Sequence, residues 1–229
     1  MAVIAGLKIN ELEFRSQMEL TTIQKMAAYA LPILFAITVH EAAHGYAAKY
    51  FGDLTAERMG RITLNPFKHI DPIGTVLLPA LSVMLGGILF GWAKPVPVNF
   101  ANLRRPKQDM LWVALAGPAS NFVMALCWGL ILARVQVFPL SAQDFLAQMS
   151  VAGIQINLVL LVLNLFPLPP LDGGRIAVSL LPMQAAIAFS RIERYGMFIL
   201  IALLFTGILG AILSPVLRFF QHLLATLVM

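Results

Sequence analysis

The chain has 229 residues, of which 59% are hydrophobic and 12% charged, and a mean hydropathy of +0.83. Soluble domains carry about 25% charged residues, so an ordinary soluble domain is excluded and a polytopic membrane protein is indicated. The net charge of +5 does not argue for nucleic acid, because Lys and Arg gather at the ends of apolar runs, where lipid headgroups and topology explain them.

Residues 1–22 form a short N-terminal flank that lacks the apolar core and cleavage site of a signal peptide. The first span is expected over 23–50, with Ala36, Ala43 and Ala47 as small positions for close helix contact. Gly52-Asp53 ends it. In the polar stretch that follows, Ile62 and Leu64 alternate with polar residues, as in a short strand over 60–65. Residues 72–100 are apolar again and read as a re-entrant segment or an additional span. Re-entry is favoured, because four Lys or Arg precede it in 49–71 and four lie in 93–107, so both ends prefer the cytoplasm. Its last part, Lys94-Pro95-Val96-Pro97-Val98-Asn99-Phe100, reads as an edge strand, since prolines at alternate positions exclude a central one. An extended substrate can pair with such an edge at Val96 and Val98.

Further spans are expected over 110–132, 149–166 and 195–213, with a loop over 135–148. Cys127 lies in the first of these and reads as a packing residue. Ser214-Pro215 is expected to break the last span and leave 214–229 as an interfacial tail. The fold class is therefore an all-α polytopic membrane protein with a small membrane-associated β element, its embedded unit running over 23–213. The stretches 49–71, 93–107 and 167–194 hold 11 of the 16 Lys and Arg residues, which puts them in the cytoplasm and both termini outside.

The chemistry is concentrated in His40-Glu41-Ala42-Ala43-His44, inside the first span. Residues four apart share a helix face, so both imidazoles can reach one metal ion, with Glu41 beside them as a base for a metal-activated water. Ionisable groups are expensive inside a span, and three within five residues demand a compensating partner, which a metal supplies. A catalytic zinc needs a third protein ligand. His69 and His222 read as solvated or interfacial. Asp172, in the break Pro167-Leu168-Pro169-Pro170-Leu171-Asp172-Gly173-Gly174, is a candidate ligand, and capping of the following helix is an equal alternative.

Taken in this order, HEAAH, Gly117-Pro118-Ala119-Ser120-Asn121 and Asn164-Leu165-Phe166 running into Leu171-Asp172-Gly173-Gly174 resemble the site-2 protease family of intramembrane zinc metalloproteases, in its short form without a PDZ or CBS domain. The resemblance implies a site-2 protease-like helical core. It also implies one zinc ion per chain on His40, His44 and Asp172, with Glu41 as catalytic base and Asn121 and Asn164 lining the site for substrate or oxyanion. The implied partners are transmembrane protein substrates and membrane lipids, and no nucleic acid. The implied location is a prokaryotic inner membrane with the active site toward the cytoplasm. The alternative from another class is a non-proteolytic membrane zinc-binding protein or transporter. It would need ionisable residues lining a path across the membrane, and the other spans offer few.

Overall fold

The computed structural model of the chain describes residues 21–72, 74 and 93–228. Among them are eight α-helices: α1 (Thr22–Tyr50), α2 (Thr55–Arg58), α3 (Pro106–Ala133), α4 (Leu140–Asn164), α5 (Asp172–Leu180), α6 (Met183–Ser190), α7 (Glu193–Phe205) and α8 (Ile208–Val228). Four of these, α1, α3, α4 and α8, are long and apolar enough to cross a membrane. The protein is an integral membrane protein.

Thr21 and Gln24 form a reciprocal capping box that starts α1. Gly52, at φ +109°, turns the chain away after its last turn. Pro106 occupies the first turn of α3, where its missing N–H costs nothing. Helices α1, α3 and α4 pack against one another, and α5 lies against α3. Their contacts use small residues, because lipid tails are as apolar as Leu and offer no hydrophobic drive to associate. Ala28, Ala36, Ala42 and Ala48 of α1 are buried, as are Ala114, Gly117 and Ala125 of α3. Larger side chains such as Leu31, Phe35, Trp112, Leu130 and Phe219 are exposed, as a lipid-facing surface requires. Of the small positions expected in α1, Ala36 is buried, whereas Ala43 and Ala47 are half-buried.

Several expected boundaries move. The spans expected over 110–132 and 149–166 are the longer helices α3 and α4, and most of the expected 135–148 loop is the first part of α4. The last span is displaced. Gly207, at φ +75°, ends α7 after 13 residues, and α8 continues through Pro215 to Val228. Proline removes one backbone bond, but Ser214 Oγ donates to the Gly210 carbonyl at 2.5 Å within the same stretch. Residues 214–228 are therefore part of the span-length helix α8, with Leu224 buried among α3 and α4 residues.

No strand forms among the described residues, which corrects the expected β element at 60–65 and 94–100. The groups a ladder would use are engaged elsewhere. The N–H groups of Lys94, Val96 and Asn99 donate to the His69 carbonyl, Glu41 Oε2 and Asp53 Oδ2. Arg61 Nη2 donates to the carbonyls of Lys94 and Pro95, and Pro95 and Pro97 have no N–H. The re-entry expected over 72–100 falls mostly on 73 and 75–92, and the flank on 1–20, both outside the described residues. Residues 69 and 94 are hydrogen-bonded at 2.9 Å, so the intervening chain begins and ends at one place.

Candidate metal centre

Helix α1 carries His40 and His44 on one face, and both are buried. Their rings stand nearly perpendicular, with centroids 4.7 Å apart, and the two Nε2 atoms approach to 3.1 Å. Helix α3 comes close here because residue 117 is glycine. A Cβ at that position would strike the His44 ring and lie 2.6 Å from His40 Cε1. The same approach places the Val113 carbonyl 2.7 Å from His44 Nδ1.

Asp172 arrives from the opposite side as the first residue of α5. Its loop is tight at each glycine. A Cβ on Gly173 would strike the Leu165 and Phe166 carbonyls, and one on Gly174 would strike the Pro169 nitrogen. Helix α7 braces the outside of the loop. Gly196 sits directly on the Pro169 carbonyl, and Leu200 packs with Leu168 and Leu209. Asp172 does not cap α5: the N-cap is Leu171, and no side-chain cap bond forms. The carboxylate turns to the histidines instead, with Oδ2 at 3.3 Å from His40 Nε2 and 3.2 Å from His44 Nε2.

These three groups fit a zinc ion. One donor atom from each lies within 4.8 Å of the others, and Asp172 Oδ2 is buried without a hydrogen-bond partner among the described residues. Because the Val113 carbonyl can only accept, His44 Nδ1 holds the ring proton and its Nε2 presents a lone pair. Lone pairs facing one another with no proton between them repel, and a buried carboxylate without a partner is unfavourable. A cation at their centre removes both penalties. Two neutral imidazoles and one carboxylate are a zinc-hydrolase donor set that leaves a fourth position open for water.

Glu41 is half-buried beside this group, and its Oε2 accepts the Val96 N–H at 2.7 Å. Val96 also lies over Gly45 of α1 and is buried, while Val98 is half-buried. Asn121 is fully buried, and both ends of its amide are used: Oδ1 lies 2.5 Å from His40 Nδ1, and Nδ2 donates to Asn157 Oδ1 at 2.9 Å. Its Oδ1 and one of its two amide N–H groups are thus engaged inside the helix bundle, beside His40. Asn164, at the end of α4, is half-buried, and its side chain makes no hydrogen bond among the described residues. His69 is buried rather than solvated, with Nε2 on the Thr63 carbonyl at 3.0 Å, whereas His222 is exposed on α8.

Gly117 as a contact, Asn157, Arg61 and Gly196 do not stand out in the sequence as parts of the site. Glycine and asparagine inside apolar spans were the available signal for three of them, but their partners are distant in the chain. Asp53 does more than end the first span. It is buried and joins α1 to the 94–102 stretch by accepting from Thr55, Asn99 and Asn102. Burial pushes its carboxyl upward, but these hydrogen bonds outweigh that and hold it below the ordinary Asp value.

Comparison with known proteins finds relatives described as zinc metalloproteases. The model of a family described as "Peptidase family M50" matches residues 139–207, which contain Asp172. The chain is 37% identical over 200 residues to "Putative zinc metalloprotease YwhC" of Bacillus subtilis, covering 84% of this chain and 87% of that protein. It is 35% identical over 181 residues to "Putative zinc metalloprotease Rip2" of Mycolicibacterium smegmatis, covering 77% and 66%. The Mycobacterium tuberculosis protein of the same name is 36% identical over 143 residues, covering 61% and 52%. No solved structure matches.

Proposed function

The chain belongs to peptidase family M50, the site-2 protease family, and from that premise we propose that it is an intramembrane endopeptidase cutting peptide bonds in or beside the transmembrane segments of other membrane proteins. It is a zinc metalloprotease. The observation that carries the finer reading is the burial of His40, His44 and Asp172 at the meeting of the span-length helices α1 and α3 with α5.

His40, His44 and Asp172 would hold the zinc ion. When bound, it supplies Lewis acidity, which makes a water acidic and polarises the scissile carbonyl. Glu41 takes the proton from the attacking water and returns it to the leaving amine. Val96 N–H aims one Glu41 oxygen, and Oε1 accepts nothing from the described residues and is left for the water. Asn164 donates its amide to the carbonyl oxygen as negative charge develops there. A substrate helix must unwind before attack, and its freed backbone groups need partners inside the membrane. The carbonyls of Val96 and Val98 accept nothing from the described residues and offer such partners, although the N–H of Val96 is already committed to Glu41.

The Lys and Arg distribution supports a cytoplasmic position for this end of the bundle in a prokaryotic inner membrane. The His69–Lys94 hydrogen bond supports the reading that the intervening segment returns to the face it left. The test is cleavage by the full-length protein in lipid vesicles, using a panel of single-span substrates. Cleavage should stop on chelation and return with zinc. If the protein binds zinc stoichiometrically yet cuts none of the panel, while soluble unfolded peptides are cut, the intramembrane reading fails. If it cuts neither, a non-proteolytic zinc-binding protein replaces it.

A further inference from the structure

We infer that Asn157 is a positioning residue of the metal centre, which acts through Asn121 to set which nitrogen of His40 carries the proton. The inference rests on the reading of His40 as a ligand. An imidazole ligates through a lone pair, so the ring must hold its proton on the other nitrogen. The Val113 carbonyl settles this for His44. The partner of His40 Nδ1 is the Asn121 amide, 2.5 Å away, and an amide can present either a donor or an acceptor. The direction of this bond must be decided elsewhere.

It is decided on α4. Asn157 Nδ2 lies 2.8 Å from the Gly153 carbonyl, one turn earlier on the same helix. A carbonyl only accepts, so the amino end of Asn157 is pinned there and Oδ1 faces Asn121. At 2.9 Å that oxygen takes a proton from Asn121 Nδ2, which leaves Asn121 Oδ1 facing His40. His40 Nδ1 must then donate, and its Nε2 lone pair faces His44 and Asp172. Asn121 and Asn157 are both 0% exposed, so no bulk water competes with this order. Reversing one link would put like ends face to face at the next. Gly153 also lets the helices meet: a Cβ there would lie 2.5 Å from the Trp128 ring of α3. Each metal-facing imidazole is thus held in the same tautomer by a backbone carbonyl, directly for His44 and through two amides for His40.

The experiment uses full-length wild-type protein, Asn157→Leu, Asn157→Asp and His40→Ala. Zinc affinity is read by chelator competition, and the His40 tautomer by imidazole ¹⁵N resonances of the zinc-free protein. Asn157→Leu frees Asn121 to turn its amino end to His40; it should weaken zinc by about 10–100-fold and shift the His40 proton toward Nε2. Asn157→Asp keeps an acceptor for Asn121 and, when protonated, a donor for Gly153, so both readouts should stay near wild type. In the Asn157→Leu background, Asn121→Asp presents His40 with an acceptor again and should restore zinc affinity, although the inter-helix bond stays broken. Asn157→Ala removes the same bonds with less bulk and serves if the leucine form does not fold. If His40→Ala loses zinc while Asn157→Leu binds like wild type with an unchanged His40 tautomer, the inference is overturned and the pair is only an inter-helix link. If His40→Ala itself binds zinc like wild type, the ligand reading fails instead.

Discussion

Gly117→Ala is a one-methyl change with a large expected effect on the metal and a small one on the fold. The new Cβ would lie 2.6 Å from carbon atoms of both His40 and His44, whereas carbon atoms in contact sit about 3.5 Å apart. At least one ring, or the α3 backbone, must therefore give way by about 0.9 Å. Metal–ligand distances tolerate only about 0.2 Å, and the rings cannot slide freely because each Nδ1 is held, by Asn121 and by Val113. Zinc affinity should fall about 100-fold, the upper end of what disturbed ligand orientation produces. Opposing effects act on the fold: alanine is better than glycine in a helix interior by about 0.5–1 kcal/mol, and overpacking costs about 1–3 kcal/mol. The assay is unfolding of the full-length protein with chelator and with zinc at 100 times the wild-type Kd. Wild type should gain about 2.7 kcal/mol from zinc and Gly117→Ala, at 100-fold lower affinity, only about 0.4 kcal/mol. Gly210→Ala is the control, since nothing lies within 4 Å of its Cβ position. It should leave the zinc increment intact. A full zinc increment in Gly117→Ala would refute the close packing of α3 on the two rings.

Glu41→Gln should retain stoichiometric zinc by metal analysis and lose cleavage by about 10²–10⁴-fold, the worth of a general base; substantial residual proteolysis would remove Glu41 from that role. Asp172→Ala should lose zinc affinity and activity together, and wild-type zinc retention in a metal assay would return Asp172 to a purely local function. Asp53 has a folded pKa below its unfolded value, so its contribution is fully present above the ordinary Asp pKa of about 3.9 and is lost as pH falls through the lower folded value. Acid unfolding of wild type should therefore become steeper below that pH than unfolding of Asp53→Asn, and equal slopes would show that its bonds to Thr55, Asn99 and Asn102 do not hold the carboxylate.

Three features were legible in the amino-acid order because each depends on neighbours along the chain. The spacing of His40 and His44 puts them on one helix face whatever surrounds them. Hydropathy sums over about 20 residues mark α1, α3 and α4, and the Gly-Pro break marks the approach to Asp172. The expected strand at 94–100 illustrates the limit. Its alternating prolines do give a chain that avoids helix, but its backbone donors meet the Glu41 and Asp53 carboxylates rather than another strand. Likewise, Pro215 suggested a break that α8 absorbs, while Gly207 made the break at a positive φ that composition does not announce.

The pattern of HEAAH and of the apolar runs by itself determined the class of protein, the paired imidazoles and the demand for a cation. Only the tertiary structure decided that α5 delivers Asp172 to them, that Gly117 permits the approach of α3, and that Asn121 hydrogen-bonds His40. The physical reason is that a helix's apolar face is a periodic property of its own residues, whereas the partner of a buried polar group depends on which other helix is pressed against it.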